Sequence, residues 1–121
     1  MYSKKVTSKT KKLWIYDTAA SLESYNINND DYYKLDDIAQ MMSKTNKSFN
    51  VKYDKANNAI IIDSMSPYKG KSAPMKKGNG KKYKTTMPAT SIVWDGEVTG
   101  IPCYKINGNY YVTAYDIAEL T

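Results

Sequence analysis

The sequence predicts an α+β fold, in which a small antiparallel sheet packs against one helix and a hairpin–helix half-repeat follows. The stretch from Tyr25 to Ala39 occurs again, in altered form, from Tyr104 to Ala118, at a constant offset of 79 residues. In both copies a run of strand-forming residues ends at an Asn-containing turn, and apolar residues with a helical period come next. A strand–turn–helix unit present twice in so short a chain indicates a repeat architecture.

Length and composition indicate one domain, or one and a fraction, with a modest core. The 121 residues are 41% hydrophobic and include no His and a single cysteine, Cys103. One cysteine allows no disulfide within the chain, which leaves both a reducing cytosol and a Gram-positive exterior open. No apolar run approaches the roughly 18 residues of a membrane helix, and no apolar signal-peptide segment follows the first lysines. We therefore expect either a cytoplasmic protein or a trimmed part of an exported parent.

The positive charge is concentrated in two segments that contain no acidic residue. The formal net charge is +6, and the basic residues are all lysine. Lysines are frequent in the first 12 residues and again between residues 69 and 84. Because both segments are polar and offer little to bury, they are expected to be tails rather than one folded face.

The first copy predicts a ββ(β)αββ unit over residues 12–64, preceded by a disordered basic arm at 1–11. Runs of strand formers and the turn signals between them define its elements. These are strands at about 13–16, 22–27, 32–33, 49–53 and 59–62, and a helix at about 35–45.

The predicted helix has one apolar stripe and an acidic first turn. Leu35, Ile38, Ala39 and Met42 follow the spacing i, i+3, i+4, i+7. Asp37 occupies the position from which a carboxylate reaches back to a free backbone N–H at a helix start. This role explains the repeated Asp without any catalytic function.

Residues 65–90 are rich in Lys, Gly, Pro, Ser and Thr and predict a linker, and residues 91–121 predict a partial second repeat of hairpin plus helix. Thr113 and Asp116 form a capping box at the start of its helix. The αββ half of the first unit has no second counterpart. The partial repeat must therefore cover its apolar face by docking on the first unit, by pairing with a second chain, or within a longer parent.

Residues 13–121 carry an ordered set of short motifs. They are Tyr25-Asn26-Ile27-Asn28, Tyr32-Tyr33-Lys34-Leu35, Asp37-Ile38-Ala39, Phe49-Asn50-Val51 and Asn57-Asn58-Ala59-Ile60. This set resembles the copper amine oxidase N-terminal-like, or stalk, domain repeats of secreted and cell-surface proteins of Firmicutes. The resemblance implies a non-catalytic module. The usual Arg before the repeated Asp is replaced by Asp36 in the first copy and by Tyr115 in the second, and the second copy is truncated.

The residue types exclude several site chemistries. Without His, the chain offers no imidazole copper site and no Ser-His-Asp or Cys-His catalysis. Cys103, which follows Pro102 in a predicted strand, is interpreted as a buried apolar residue. The Asp pairs at 30–31 and 36–37 match no calcium loop, and turn and helix-cap roles explain them. We expect no enzyme and no catalytic, cofactor or metal site.

Two sets of side chains are candidate contacts. An exposed aromatic surface for a glycan or a protein is one hypothesis, although half of the tyrosines are expected to face the core; its residues are Tyr32, Tyr33, Tyr110 and Tyr111. Loose attachment to a polyanion, either wall teichoic acid or nucleic acid, is the other hypothesis. Its residues are Lys69, Lys71, Lys76, Lys77, Lys81, Lys82 and Lys84. Since the chain lacks Arg, nucleic-acid binding is expected to depend on salt and to ignore base sequence.

The leading functional hypothesis is a non-enzymatic binding or structural module of the bacterial cell envelope or of secreted proteins, and it rests on the resemblance. The alternative takes the missing signal peptide at face value. The chain is then a small cytoplasmic protein, phage- or plasmid-borne in one version, that binds a protein or nucleic acid through the same fold and its Lys-rich segments. Its partners in the first case are a protein or a cell-wall polymer, and self-association through the partial second repeat is open.

Overall fold

A computed structural model describes residues 3–70, 75 and 77–121 of the chain. Those residues form an α+β fold with two sheets. The strands are β1 (Ser3–Thr7), β2 (Lys9–Ile15), β3 (Thr18–Ile27), β4 (Asp30–Lys34), β5 (Asn50–Asp54), β6 (Ala59–Asp63), β7 (Lys82–Thr86), β8 (Ser91–Trp94), β9 (Glu97–Val98), β10 (Tyr104–Ile106) and β11 (Asn109–Thr113). The helices are α1 (Leu35–Met41) and α2 (Ala114–Leu120).

The large sheet has the strand order β1-β7-β10-β11-β4-β3-β2 and antiparallel pairing throughout. Its two outermost strands, β1 and β2, follow each other in the chain with only Ser8 between them. The backbone of Ser8 donates to the Lys81 carbonyl at 2.8 Å and accepts from the Gly80 N–H at 2.9 Å. Since both edges of the sheet meet at one residue, the sheet curls back on itself and encloses an interior.

The small sheet has the strand order β5-β6-β8-β9. β5 and β6 form a hairpin, β8 pairs with β6 in parallel, and β9 pairs with β8 in antiparallel fashion. The parallel pair joins the end of the first repeat to the start of the second. The predicted ββ(β)αββ unit is therefore divided between two sheets, since β2, β3 and β4 lie in the large one and β5 and β6 in the small one.

The two repeats interlock at the centre of the large sheet. β4 and α1 are matched by β11 and α2 at the offset of 79 residues, with identical element lengths. The preceding turns match as well, because Asn28 has φ 53° and Asn107 has φ 51°. β4 and β11 pair with each other, with Tyr33 opposite Val112. Of the three ways to cover the partial repeat, the chain uses docking on the first unit.

Two apolar cores lie on the two faces of the large sheet. The outer core is packed under both helices and the small sheet and includes Leu35, Ile38, Phe49, Ile60 and Ile117. The inner core fills the curl of the sheet and is built mainly of tyrosines. There the rings of Tyr25 and Tyr111 meet edge to face at 5.0 Å, as do those of Tyr104 and Tyr32, which are their counterparts at the repeat offset.

The helices are short, with seven residues each, and differ at their N-termini. The Thr113 side chain accepts a hydrogen bond from the Asp116 N–H at 3.2 Å, as the capping-box pattern predicts. Lys34, the equivalent residue before α1, makes no side-chain cap bond. Among the described residues, no helix combines the length and apolar character needed to cross a membrane.

Both Lys-rich segments contribute strands, which corrects two expectations. Residues 3–11, expected to be a disordered arm, form β1 and the start of β2, and β7 lies within the expected linker at 65–90. β1 and β7 pair with each other, with Val6 opposite Tyr83, and both residues pack in the inner core. One inward apolar residue on each strand, together with the ladder of backbone bonds, orders these polar segments. Residues 1–2, 71–74 and 76 lie outside the described residues.

Candidate functional site

A groove of about 580 Å³ lies between the small sheet and the β10–β11 hairpin. We call it the tyrosine groove. Residues of both repeats line it, including Asp36, Tyr53, Asp54, Asn58, Lys105 and Tyr110. It is partly open to solvent.

Two tyrosines form the wall of this groove. Tyr53 lies on β5, and its side chain is 41% exposed. Tyr110 lies on β11, directly opposite Lys105 of β10. The Tyr53 and Tyr110 rings stack with their centroids 5.6 Å apart and their planes inclined by 20°. Stacked rings are rigid apolar surfaces, and the hydroxyl at the edge of each can still bind a polar group.

Charged groups flank the ring pair on both sides. The Tyr53 hydroxyl donates to Asp36 Oδ1 at 2.8 Å. Partial burial raises the pKa of the Tyr53 phenol, and the neighbouring Asp36 carboxylate raises it further, so the phenol keeps its proton. On the other ring, Lys105 Nζ lies 5.5 Å from the Tyr110 centroid, within the range of a cation–π contact.

Polar contacts hold the rim of the groove in place. Asp54 accepts hydrogen bonds from the backbone N–H of Asn57 at 3.2 Å and from its side-chain amide at 2.9 Å. These bonds lower the pKa of the Asp54 carboxyl, which is therefore ionised at neutral pH. Asn58 donates to the Ala89 carbonyl at 2.8 Å and accepts from the Thr90 hydroxyl at 3.0 Å, which ties the β5–β6 turn to the chain before β8.

A row of lysines runs along the outer face of the large sheet and ends at the groove. Lys5 on β1 faces Lys84 on β7, and Lys82 is two residues further along the same strand. Lys105 on β10 is opposite Thr86, two residues beyond Lys84. Residues two apart on a strand share one face, so these four exposed side chains point outward together. We call Lys5, Lys82, Lys84 and Lys105 the lysine row.

The lysine row corrects the expectation that the positive charge belongs to tails. Of the seven lysines expected to contact a polyanion, Lys82 and Lys84 are in the row, and Lys81 directly precedes it. Lys77 lies in the loop that leads to β7. Lys69 lies beside the small sheet, where its backbone N–H donates to Asn50 Oδ1 of β5. Lys71 and Lys76 lie outside the described residues. Strand pairing thus aligns Lys82 and Lys84 of the predicted lysines with Lys5 and Lys105, which were not predicted.

The predicted aromatic surface is not formed by its four residues together. Tyr32, Tyr33 and Tyr111 are between 2% and 6% exposed, because Tyr32 and Tyr111 pack in the inner core and Tyr33 packs in the outer core. Tyr110 alone of the four is partly exposed, and its partner in the groove is Tyr53. The signal that could have found Tyr53 is its place in the alternating pattern at residues 49–53, but the pattern does not show which faces are covered.

A buried carboxylate in the inner core was also missed. Glu23 is 1% exposed and accepts hydrogen bonds from Ser8 Oγ at 2.7 Å, from the Tyr25 hydroxyl at 2.9 Å and from the Tyr111 hydroxyl at 2.7 Å. Burial raises the pKa values of Tyr25 and Tyr111, and the bond to Glu23 raises them further, so both phenols remain donors. The counterpart of Glu23 in the second repeat is Pro102, so this carboxylate belongs to one repeat only.

The remaining candidate groups have structural contacts. Cys103 is 3% exposed, as predicted, and burial raises the pKa of its thiol to about 11. Asp31 forms an ion pair with Lys11 at 2.7 Å, and this bond lowers the pKa of its carboxyl. Within the described part of the chain, no three His, Cys, Asp or Glu side chains come together as a metal site would need.

Comparison with known proteins gives no match: no family model matches the chain, and no curated protein or solved structure does.

Proposed function

We propose that this chain is a non-catalytic binding module whose ligand occupies the tyrosine groove. The observation that carries the proposal is the stacked pair of Tyr53 and Tyr110, which is presented at the surface between a carboxylate and an ammonium group. A stacked aromatic pair at the surface, with hydrogen-bonding groups around it, is a typical recognition surface for flat or ring-shaped ligands. The groove is only partly enclosed, which leaves room for a segment of a polymer to extend beyond it.

The groove also depends on both repeats, which supports a role for the complete fold. Tyr53 and Asp36 belong to the first repeat, and Tyr110 and Lys105 to the second. The backbone pairing of β4 with β11 joins the two repeats, and the hydrogen bond from Tyr53 to Asp36 ties β5 to α1. A site assembled from regular strands is held more rigidly than one on loops, and rigidity limits the entropy lost on binding.

Titration of the isotope-labelled protein, followed by amide chemical shifts, tests this proposal. Two probes of different chemistry are used: an N-acetylglucosamine oligosaccharide and a short oligothymidylate. Shifts that cluster at Tyr53, Asp54, Lys105 and Tyr110 with either probe support the groove as a ligand site. Shifts with neither probe, or shifts only at surfaces away from the groove, contradict it.

Residence in the cell envelope is the second part of the proposal, and the resemblance to stalk domains supports it. The cytoplasmic alternative rests on the absence of an apolar signal-peptide segment after the first lysines. Fractionation of the native host with an antibody to this chain separates the two. Protein in the wall or culture fraction is expected, and protein confined to the cytosol, together with a gene that lacks an export signal, contradicts envelope residence.

A further inference from the structure

The lysine row brings four positive charges close together. Lys5 and Lys84 are directly opposite on neighbouring strands, and like charges in this arrangement are destabilising. Lys84 and Lys105 are diagonal neighbours, which places the two residues roughly 7–8 Å apart and their Cβ atoms somewhat closer. The spacing matches a surface that follows a chain of negative charges.

No acidic residue lies on the strands that carry the row. β1, β7, β10 and the adjoining β11 contain no Asp or Glu. The ion pair found among the described residues is that of Lys11 with Asp31, so none of the four lysines of the row is ion-paired. The repulsion within the row is therefore left for a bound polyanion or for salt to relieve.

The row leads into the stacked tyrosines. Lys105 is both the last lysine of the row and the cation over Tyr110, and Tyr110 stacks on the exposed Tyr53. Proteins that bind single-stranded nucleic acid combine a positive surface, which follows the phosphates, with aromatic rings on which bases stack. A duplex hides the faces of its bases, and a base-free polyanion has none.

The acidic groups of the groove agree with this arrangement. Asp36 is already an acceptor for Tyr53, and Asp54 for Asn57. These carboxylates repel phosphates from the groove itself but can accept further hydrogen bonds from the N–H groups of a base. The phosphates are thereby directed to the lysine row, and the base to the tyrosines.

We propose that the lysine row and the tyrosine groove together bind single-stranded nucleic acid. Phosphates lie along Lys82, Lys84 and Lys105, and one base stacks on Tyr53. The proposal rests on the proposed function, since it names the ligand class of the same groove. Because lysine is a point charge and the chain has no Arg, binding is independent of base sequence.

Fluorescence anisotropy with an oligothymidylate of about 12 nucleotides, within the known site sizes of single-strand binding folds, tests the role of the row. At about 50 mM salt, the variant Lys82→Gln/Lys84→Gln/Lys105→Gln is expected to bind at least about tenfold more weakly. The slope of log K against log salt is expected to fall in magnitude by about 2, since each phosphate contact of a single strand contributes about 0.7.

A matched control removes the same charge elsewhere. Lys44→Gln/Lys52→Gln/Lys69→Gln alters three exposed lysines away from the row. It is expected to keep the slope and to weaken binding by less than about threefold. Equal losses in the two triple variants overturn the proposal, because net charge alone then explains binding. Thermal melts followed by circular dichroism confirm that both variants are folded.

The tyrosines separate nucleic acid from polyanions in general. Tyr53→Leu removes the ring and is expected to weaken oligothymidylate binding about tenfold, whereas Tyr53→Phe keeps the ring and the affinity. An abasic oligonucleotide of the same length is expected to bind more weakly and to be insensitive to Tyr53→Leu. Equal affinity for the abasic chain overturns the base-stacking proposal.

The outcomes also distinguish this proposal from the proposed function. Groove shifts with the oligosaccharide and none with oligothymidylate overturn nucleic-acid binding but leave the binding module intact. Shifts with neither probe overturn both.

Discussion

Glu23 is an acidic side chain buried among the tyrosines of the inner core. Its three hydroxyl donors come from β3, from β11 and from Ser8 at the junction of β1 and β2. A buried charge is tolerated only when it is hydrogen-bonded from several directions. One side chain thus joins three separate parts of the large sheet.

Replacing this carboxylate is expected to destabilise the protein strongly. Glu23→Ala should lower the free energy of unfolding by about 3 kcal/mol, because it leaves two buried phenols without their acceptor. Glu23→Gln keeps the shape and one acceptor oxygen, and should cost about 1–2 kcal/mol. Urea denaturation followed by circular dichroism measures both.

The exposed Glu97 on β9 is the matched control for Glu23. Glu97→Ala should change the free energy of unfolding by less than about 0.5 kcal/mol. If Glu23→Ala proves as mild as Glu97→Ala, the interior network does not stabilise the fold.

The burial of a residue could be predicted from the sequence where the residue type alone indicates it. It could not be predicted where burial depends on how distant strands pack. Cys103, between Pro102 and a strand, was identified as buried. An exposed aromatic surface at Tyr32, Tyr33, Tyr110 and Tyr111 was one hypothesis, although half of the tyrosines were expected to face the core. Tyr32 and Tyr111 face the interior of the curled sheet, and Tyr33 packs in the outer core. A pattern with period two does not show that both faces are covered at these positions.

The elements themselves were largely predictable, because turn and cap signals are local. The predicted helix starts at Leu35 and Ala114 agree with α1 and α2, and the strands of the first repeat were found close to their observed positions. β1 and β7 were missed, since each has a single inward apolar residue, Val6 or Tyr83, and finds its partner far away in the chain. Short polar strands of this kind are specified by their neighbours.

The cap of α2 provides a test at the level of one element. Thr113→Ala removes the acceptor for the Asp116 N–H and should lower the free energy of unfolding by about 1 kcal/mol. Lys34 stands at the equivalent position before α1 and makes no side-chain cap bond, so Lys34→Ala should have a smaller effect. Chemical denaturation of the two variants side by side gives the comparison, and equal losses contradict a specific cap at Thr113.

The whole molecule is one interlocked unit rather than two repeats joined by a linker. The outer core takes residues from both repeats, including Ile38 of α1 and Ile117 of α2. The sequence could not show this, because strand pairing such as that of β4 with β11 joins residues about as far apart as the repeat itself. The tyrosine groove could not be predicted either, because it is lined by residues of both repeats that are distant in the sequence.

Separating the repeats is therefore expected to unfold the chain. A fragment of residues 1–64 lacks β7, β10 and β11 and leaves β4 as an unpaired edge, so it should not give a folded monomer. Dispersed amide resonances and a cooperative melt are expected to be absent for the fragment alone and to return on mixing with residues 65–121. A fragment 1–64 that folds by itself contradicts the interlocked architecture.

Because both edges of the large sheet meet at Ser8, this sheet cannot close until its later strands have been synthesised. β1 is synthesised before its ladder partner β7, which begins only at Lys82, and β10 and β11 follow later still. β1 therefore stays without its ladder partner until β7 has been made. Folds completed by such distant pairings form slowly, so closure of this sheet is a late event that follows synthesis of β7, β10 and β11.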